Sequence, residues 1–187
     1  MRLLLAAILT AAVAAVGTAQ NQKGTTVELA GYKSVTPADW KEEPLPPKSM
    51  RMMQFKLPRA DGDAEDAELA LFALRGGGSV QANLERQEKK FEIPAGKKPE
   101  EAIKTQKIKI GKHDAVLQDI QGTYLKKFPP FDPNARITRV PDYRQLYVIF
   151  EVAEGDSTVT YSMTLLGSAK TVEKHKQAFE EWLKNFK

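Results

Sequence analysis

The chain has 187 residues, 28 Lys and Arg against 24 Asp and Glu, a formal net charge of +4, two His and no Cys. That length fits one domain able to bury its own core without disulfides. The missing cysteines exclude thiol nucleophiles and cysteine zinc sites. The basic excess is spread along the chain, which predicts no nucleic-acid partner and leaves an envelope protein or an anionic glycan as the partners to expect.

Arg2 precedes an apolar run from Leu3 to Val16 interrupted only by Thr10, and Gly17-Thr18-Ala19 supplies small residues before Gln20. This is the order of a cleavable signal peptide over residues 1–19. The run is shorter than the roughly 20 apolar residues of a spanning helix, so no transmembrane segment is expected after cleavage. The expected location is secreted or periplasmic. Residues 20–25 are polar and predict a disordered leader, and residues 26–187 a single domain.

Thr26 to Val35 predicts a strand bent at Gly31. Pro37 to Trp40 is a turn, with Trp40 expected in the core, and three prolines keep residues 41–49 extended. Met50 to Leu57 predicts a strand with Met53, Phe55 and Leu57 on one face. An acidic loop over residues 59–66 follows. Leu69 to Leu74 is apolar on both sides, as in a strand covered on both faces. Gly76-Gly77-Gly78 ends it, and Ser79 is a good N-cap for a helix whose stripe is Val80, Leu84, Gln87 and Phe91. Residues 99–103 predict one helical turn.

Lys107 to Ile110 and Ala115 to Tyr124 predict a hairpin turning through residues 111–114. Residues 126–141 contain Pro129, Pro130, Pro133 and Pro141 and predict a long irregular connection. Tyr143 to Val152 and Val159 to Leu166 form a second predicted hairpin. Residues 170–186 predict an amphipathic helix with Val172, Phe179, Leu183 and Phe186 on its stripe and His175 and Trp182 at its edges. Short turns between consecutive strands favour an α+β fold. The expected architecture is a mainly antiparallel β-sheet covered by helices on both faces, an α/β/α sandwich.

The mature chain holds no Gly-x-Ser-x-Gly and no Ser-x-x-Lys, so nucleophilic hydrolysis has no sequence support. His113 and His175 stand apart without carboxylates at ligand spacing. Asp61, Asp63 and Glu65 alternate as in a calcium loop, but Asp66 occupies the glycine position and Phe72 the closing glutamate position. Met50, Met52 and Met53 could offer soft sulfur to Cu(I), although thioethers at strand spacing are ordinary core filler. No cofactor, metal or catalytic residue is assigned. The sequence does gather cations and aromatics in the 126–143 connection, at Lys126, Lys127, Phe128, Phe131, Arg136, Arg139 and Tyr143. A long loop so equipped is a candidate partner-binding surface.

Trp40, the segment Met50 to Pro58, the run Gly76 to Arg86, Gly122-Thr123-Tyr124, Tyr161 to Gly167 and Thr171-Val172 together resemble exported bacterial proteins of unknown function. These are similar in turn to the Mog1/PsbP-like α/β/α sandwich. The resemblance covers most of the mature chain and rests on turns and core positions. It implies a fold whose better-known members are extrinsic subunits or binding proteins, and it carries over no binding residue. The function to expect is a non-catalytic binding or accessory module of the bacterial envelope. A carboxylate-dependent envelope hydrolase and a structural subunit of a larger assembly are the alternatives.

Overall fold

The computed structural model describes residues 23–129, 132 and 134–187. The signal segment 1–19 and Phe131 lie outside the described residues.

The first strands, β1 (Thr26–Leu29) and β2 (Tyr32–Val35), form a separate two-stranded sheet. Ala30 and Gly31 between them both have positive φ, 51° and 83°. That pair of left-handed residues makes a two-residue hairpin turn. The expected bent strand is therefore two strands, with the glycine turning the chain rather than kinking it. Thr25 already joins this pairing, donating its N–H to Thr36 Oγ1 and accepting from Thr36 N–H, both at 2.9 Å.

The main sheet contains β3 (Lys41–Glu42), β4 (Arg51–Leu57), β5 (Ala67–Arg75), β6 (Phe91–Glu92), β7 (Ile103–Ile110), β8 (His113–Phe128), β9 (Arg136–Glu154) and β10 (Ser157–Ser168). Its order is β3-β4-β5-β10-β9-β8-β6, with β7 also on β8, and every pairing is antiparallel. The helices are α1 (Val80–Glu88), the single turn α2 (Pro99–Ala102) and α3 (Ala169–Lys184).

Alternation along the central strands fixes two faces. Leu146, Val148 and Phe150 of β9, Met163 and Leu165 of β10 and Leu69 and Leu71 of β5 share one face and are fully buried. Val172, Phe179, Trp182 and Leu183 of α3 cover that face, joined by Val27 and Leu29 from the small hairpin. Trp40 packs among His175, Phe179 and Trp182, with ring centroids 6.4, 6.3 and 5.6 Å away. This places Trp40 in the core. It also explains why His175 and Trp182, at the edges of the helical stripe, are only 3% and 2% exposed.

On the opposite face α1 contributes Leu84, which packs with Tyr147 and Ile149. Ser79 caps this helix by accepting the Ala82 N–H at 3.2 Å. Phe91, expected on the α1 stripe, lies beyond the helix in β6 and packs on Tyr124 at 5.3 Å. The expected helical cover of both faces is only partial on this one, where α1 packs over Tyr147 and Ile149. The reason is length: nine residues span about 14 Å at 1.5 Å per residue. Neighbouring strands sit about 4.8 Å apart, so so short a helix crosses only some three of them. Part of the remainder is filled by the Pro-rich stretch, where Pro44 accepts from the Gln54 amide at 2.8 Å, and by Gly77 against Thr160.

Candidate functional site

The stretch from Lys126 to Pro141 is not the irregular connection its prolines suggest. β8 continues to Phe128 and β9 resumes at Arg136, and the two remain paired outside the body of the sheet, with Tyr124 opposite Val140, Lys126 opposite Thr138 and Phe128 opposite Arg136. The result is a two-stranded ribbon whose outermost pair is Phe128 and Arg136. The prolines are compatible with it because of where they fall. Pro129 follows directly on the end of β8. Pro141 sits in the register shift between Gly122 and Tyr124, beside Asp142 with φ 55°. A bulge asks no ladder N–H of the extra residue, so a residue without one is tolerated there.

The base of the ribbon is anchored by β6. Leu125 N–H donates to Lys90 O at 2.8 Å, and Phe91 and Glu92 pair with Tyr124 and Thr123. Arg139 donates to both carboxylate oxygens of Glu92, with contacts of 2.7 to 3.2 Å. The hydrogen bonds from Arg139 hold the Glu92 carboxyl below its ordinary range. Gly122 lies where a Cβ would come within 2.4 Å of Glu92 O, so only glycine lets β6 approach β8 this closely. Tyr143 stacks on Tyr124 with centroids 5.8 Å apart and planes at 9°. Burial first, then nearby carboxylates, pushes both phenols up.

A second anchor ties the sheet at this end to α3. Arg144 donates to both oxygens of Asp119 at 2.7 Å and also engages Glu173, while Lys176 donates to Asp119 at 2.9 Å. Burial pushes the Asp119 carboxyl up, but the hydrogen bonds from Arg144 and Lys176 outweigh this and hold it below its usual value.

The six sequence candidates within the described residues thus separate. Arg139 is committed to Glu92, and Tyr143 is half-buried in the aromatic stack. Both hold the ribbon rather than present it. Lys126, Lys127, Phe128 and Arg136 are exposed, and among the described residues none of the three cations has an acidic partner. Phe128 is 75% exposed and Ile137, which the sequence reading did not single out, is 50% exposed. Strand alternation puts Phe128, Lys126 and Arg136 on one side of the ribbon and Lys127 and Ile137 on the other.

The other candidates have structural partners. His113 opens β8, stacked on Phe150 at 5.9 Å and edge-on to Tyr32 at 5.8 Å. His175 Nε2 lies 2.8 Å from Pro58 O. The acidic loop is clamped by the start of α3: Thr171 donates to Asp63 and accepts from Ala60 N–H. Met53 packs on the core while Met50 and Met52 are 58% and 38% exposed, so the three thioethers do not gather. Among the described residues no three His, Asp or Glu side chains assemble as a metal site, and no helix is long and apolar enough to cross a membrane.

A mainly antiparallel sheet carrying α3 on one face and a short helix on the other defines an α+β protein of PsbP-like fold. The chain is similar to the solution structure of cyanobacterial PsbP (CyanoP) from Synechocystis sp. PCC 6803, with a TM-score of 0.50 and 10% identity over 94% of this chain and 98% of that one. It is also similar to the crystal structure of LpqN, involved in cell envelope biogenesis of Mycobacterium tuberculosis, with a TM-score of 0.51 and 10% identity over 89% of this chain and 86% of that one. At such identity the likeness is one of fold. Neither a protein-family model nor a curated protein matches this sequence.

Proposed function

We propose that this protein is an exported, non-catalytic binding or accessory module of the cell envelope, and that the exposed end of its β8–β9 ribbon is where it grips an anionic partner. The observation that carries the reading is the ribbon itself. Lys126, Lys127 and Arg136 stand on a projecting strand pair with no acidic neighbour among the described residues, and Phe128 is 75% exposed beside them. The ring and the unpaired cations beside it put contact area and charge together at the end of a projecting strand pair. Such a combination suits a surface in which cations steer an anionic partner and the aromatic supplies contact area. The exposed Phe128 and Ile137 favour a protein partner over a glycan, since two isolated apolar tips gain more from a complementary apolar pocket than from a hydrated sugar.

Export rests on the n-region, apolar core and small-residue cut at residues 1–19. The likeness to LpqN, named for cell envelope biogenesis, is consistent with an envelope setting.

Two experiments test the proposal. Intact-mass measurement on protein purified from its native cells should give a chain beginning at Gln20, and a chain beginning at Met1 would remove export from the account. Cross-linking in the envelope fraction should recover a partner with the wild type and lose it with the combined variant Lys126→Ala, Lys127→Ala, Phe128→Ser and Arg136→Ala. Recovery should also fall as salt rises, because exposed charges are screened beyond about 10 Å at 0.1 M. Equal recovery by variant and wild type would dismiss the ribbon.

A further inference from the structure

A second surface lies along β7, on the outer side of β8 and away from the ribbon tip. β7 pairs with β8 on one side only, and Lys104, Thr105, Gln106 and Lys107 are exposed in succession. Beside it, between β7 and the C-terminal half of α3, is a hollow of about 380 Å³ whose walls include Ile108, Leu117, Leu183 and Phe186. The hollow is bordered by four consecutive β7 residues, Gln106 to Lys109. Consecutive residues of a strand alternate between faces. Leu117 of β8 and Leu183 and Phe186 near the end of α3 also line it, so the hollow lies on the α3 face and reaches the strand's open edge at Lys107 and Lys109.

An open strand edge offers unpaired N–H and C=O groups to another extended chain. Here the apolar hollow adds a receptacle for the side chains such a chain would turn toward α3, which is the combination used in strand-addition recognition. Charge decides which chain fits. Lys107, on the face of the edge away from α3, has no acidic partner among the described residues, whereas Lys109 on the same face is held by Asp114 at 2.7 Å, and on the α3 side Glu180 lies within 3.9 Å of Lys176. A second copy of this chain would bring a lysine-bearing edge against its like, which is unfavourable across a strand pair. We propose that β7 and the hollow beneath α3 accept an extended acidic segment of a partner protein. The segment adds to β7 as an extra strand, with apolar side chains on the α3 face entering the hollow and carboxylates on the opposite face meeting Lys107.

The probe is a blocked octapeptide alternating glutamate and leucine, labelled for fluorescence anisotropy and titrated into the wild-type protein. It should bind, and the counterpart with lysine in place of glutamate should not. The charge reversal K107E should weaken binding about threefold, as one exposed ion pair is exchanged for a repulsion. Pairing to the backbone is read separately. N-methylating alternate peptide amides in one of the two possible phases should abolish binding, and the amide resonances of Thr105 to Lys109 should shift on titration. Alanine variants of the ribbon cations should leave all this unchanged, so failure here and failure of the ribbon reading are distinguishable. Absence of binding, equal binding of acidic and basic peptides, or binding that survives N-methylation in both phases would overturn the proposal and leave the β7 lysines as charges that keep an edge strand solvated.

Discussion

Replacing Asp119 by Asn removes the charge at the centre of the junction between β8, β9 and α3 while conserving side-chain size. Asp119 and Arg144 are each 13% exposed and share two 2.7 Å hydrogen bonds, and Lys176 adds a third at 2.9 Å. Breaking a fully buried ion pair costs about 3–5 kcal/mol. Here Arg144 keeps Glu173, Lys176 is 30% exposed and keeps water within reach, and the Asn oxygen still accepts one hydrogen bond. The expected loss is therefore nearer 2 kcal/mol, as for a charge-assisted hydrogen bond. With roughly 2–4 °C of Tm per kcal/mol in a domain of this size, Tm should fall by about 4–8 °C. The two tryptophans of the chain, Trp40 and Trp182, are buried against each other, so their fluorescence reports unfolding directly. The sign of the pH dependence follows from the lowered Asp119 pKa. A carboxyl held below its unfolded value contributes stability fully above about pH 4, and that stability is lost as pH falls through the folded pKa. The gap between wild type and variant should stay constant from pH 7 to 5 and close on further acidification. A variant within about 0.5 kcal/mol of wild type at pH 7, or a gap that persists at the lowest pH, would refute the assignment.

Further outcomes are expected elsewhere. Gly111→Ala places a Cβ within 2.4 Å of the Tyr32 ring at a φ of 55°, so it should undock the small hairpin and cost about 2 kcal/mol or more by urea titration. Ser79→Ala removes the acceptor for the Ala82 N–H and should cost about 1 kcal/mol, with amide exchange increasing first in α1. Trp182→Ala empties a fully buried site under α3 and should cost about 3–5 kcal/mol. The combined ribbon variant should melt within about 1–2 °C of wild type, because its side chains are exposed and unpartnered and such surface changes stay within about 0.5 kcal/mol. A large drop there would mean that the ribbon is part of the folding core.

Much of the fold was legible wherever local pattern and burial coincide. Alternation in Met53, Phe55 and Leu57 placed β4 correctly, the two-faced apolar runs marked β5, β9 and β10, and Ser79 marked the start of α1. The ribbon was misread because proline was taken as a mark of irregular chain. What decides is whether the ladder needs that residue's N–H, and at Pro141 a bulge removes the need. The candidate site was legible in composition and illegible in role. Arg139 differs from Arg136 only through Glu92, which is 47 positions away and arrives by way of the short strand β6.

The sequence by itself determined what depends on neighbours along the chain: an apolar run over residues 3–16, the strand and helix periods, the turn glycines, and a cluster of cations and aromatics between two strands. Only the tertiary structure decided which of those cations are spent on anchoring and which stand free, that α1 is too short to close the second face, and that β7 is left with an open edge beside an apolar hollow. The physical reason is range. Backbone preference and hydrophobic period act over a few residues and are written locally, whereas ion pairing, burial and edge exposure depend on segments that meet only after the sheet has closed around its core.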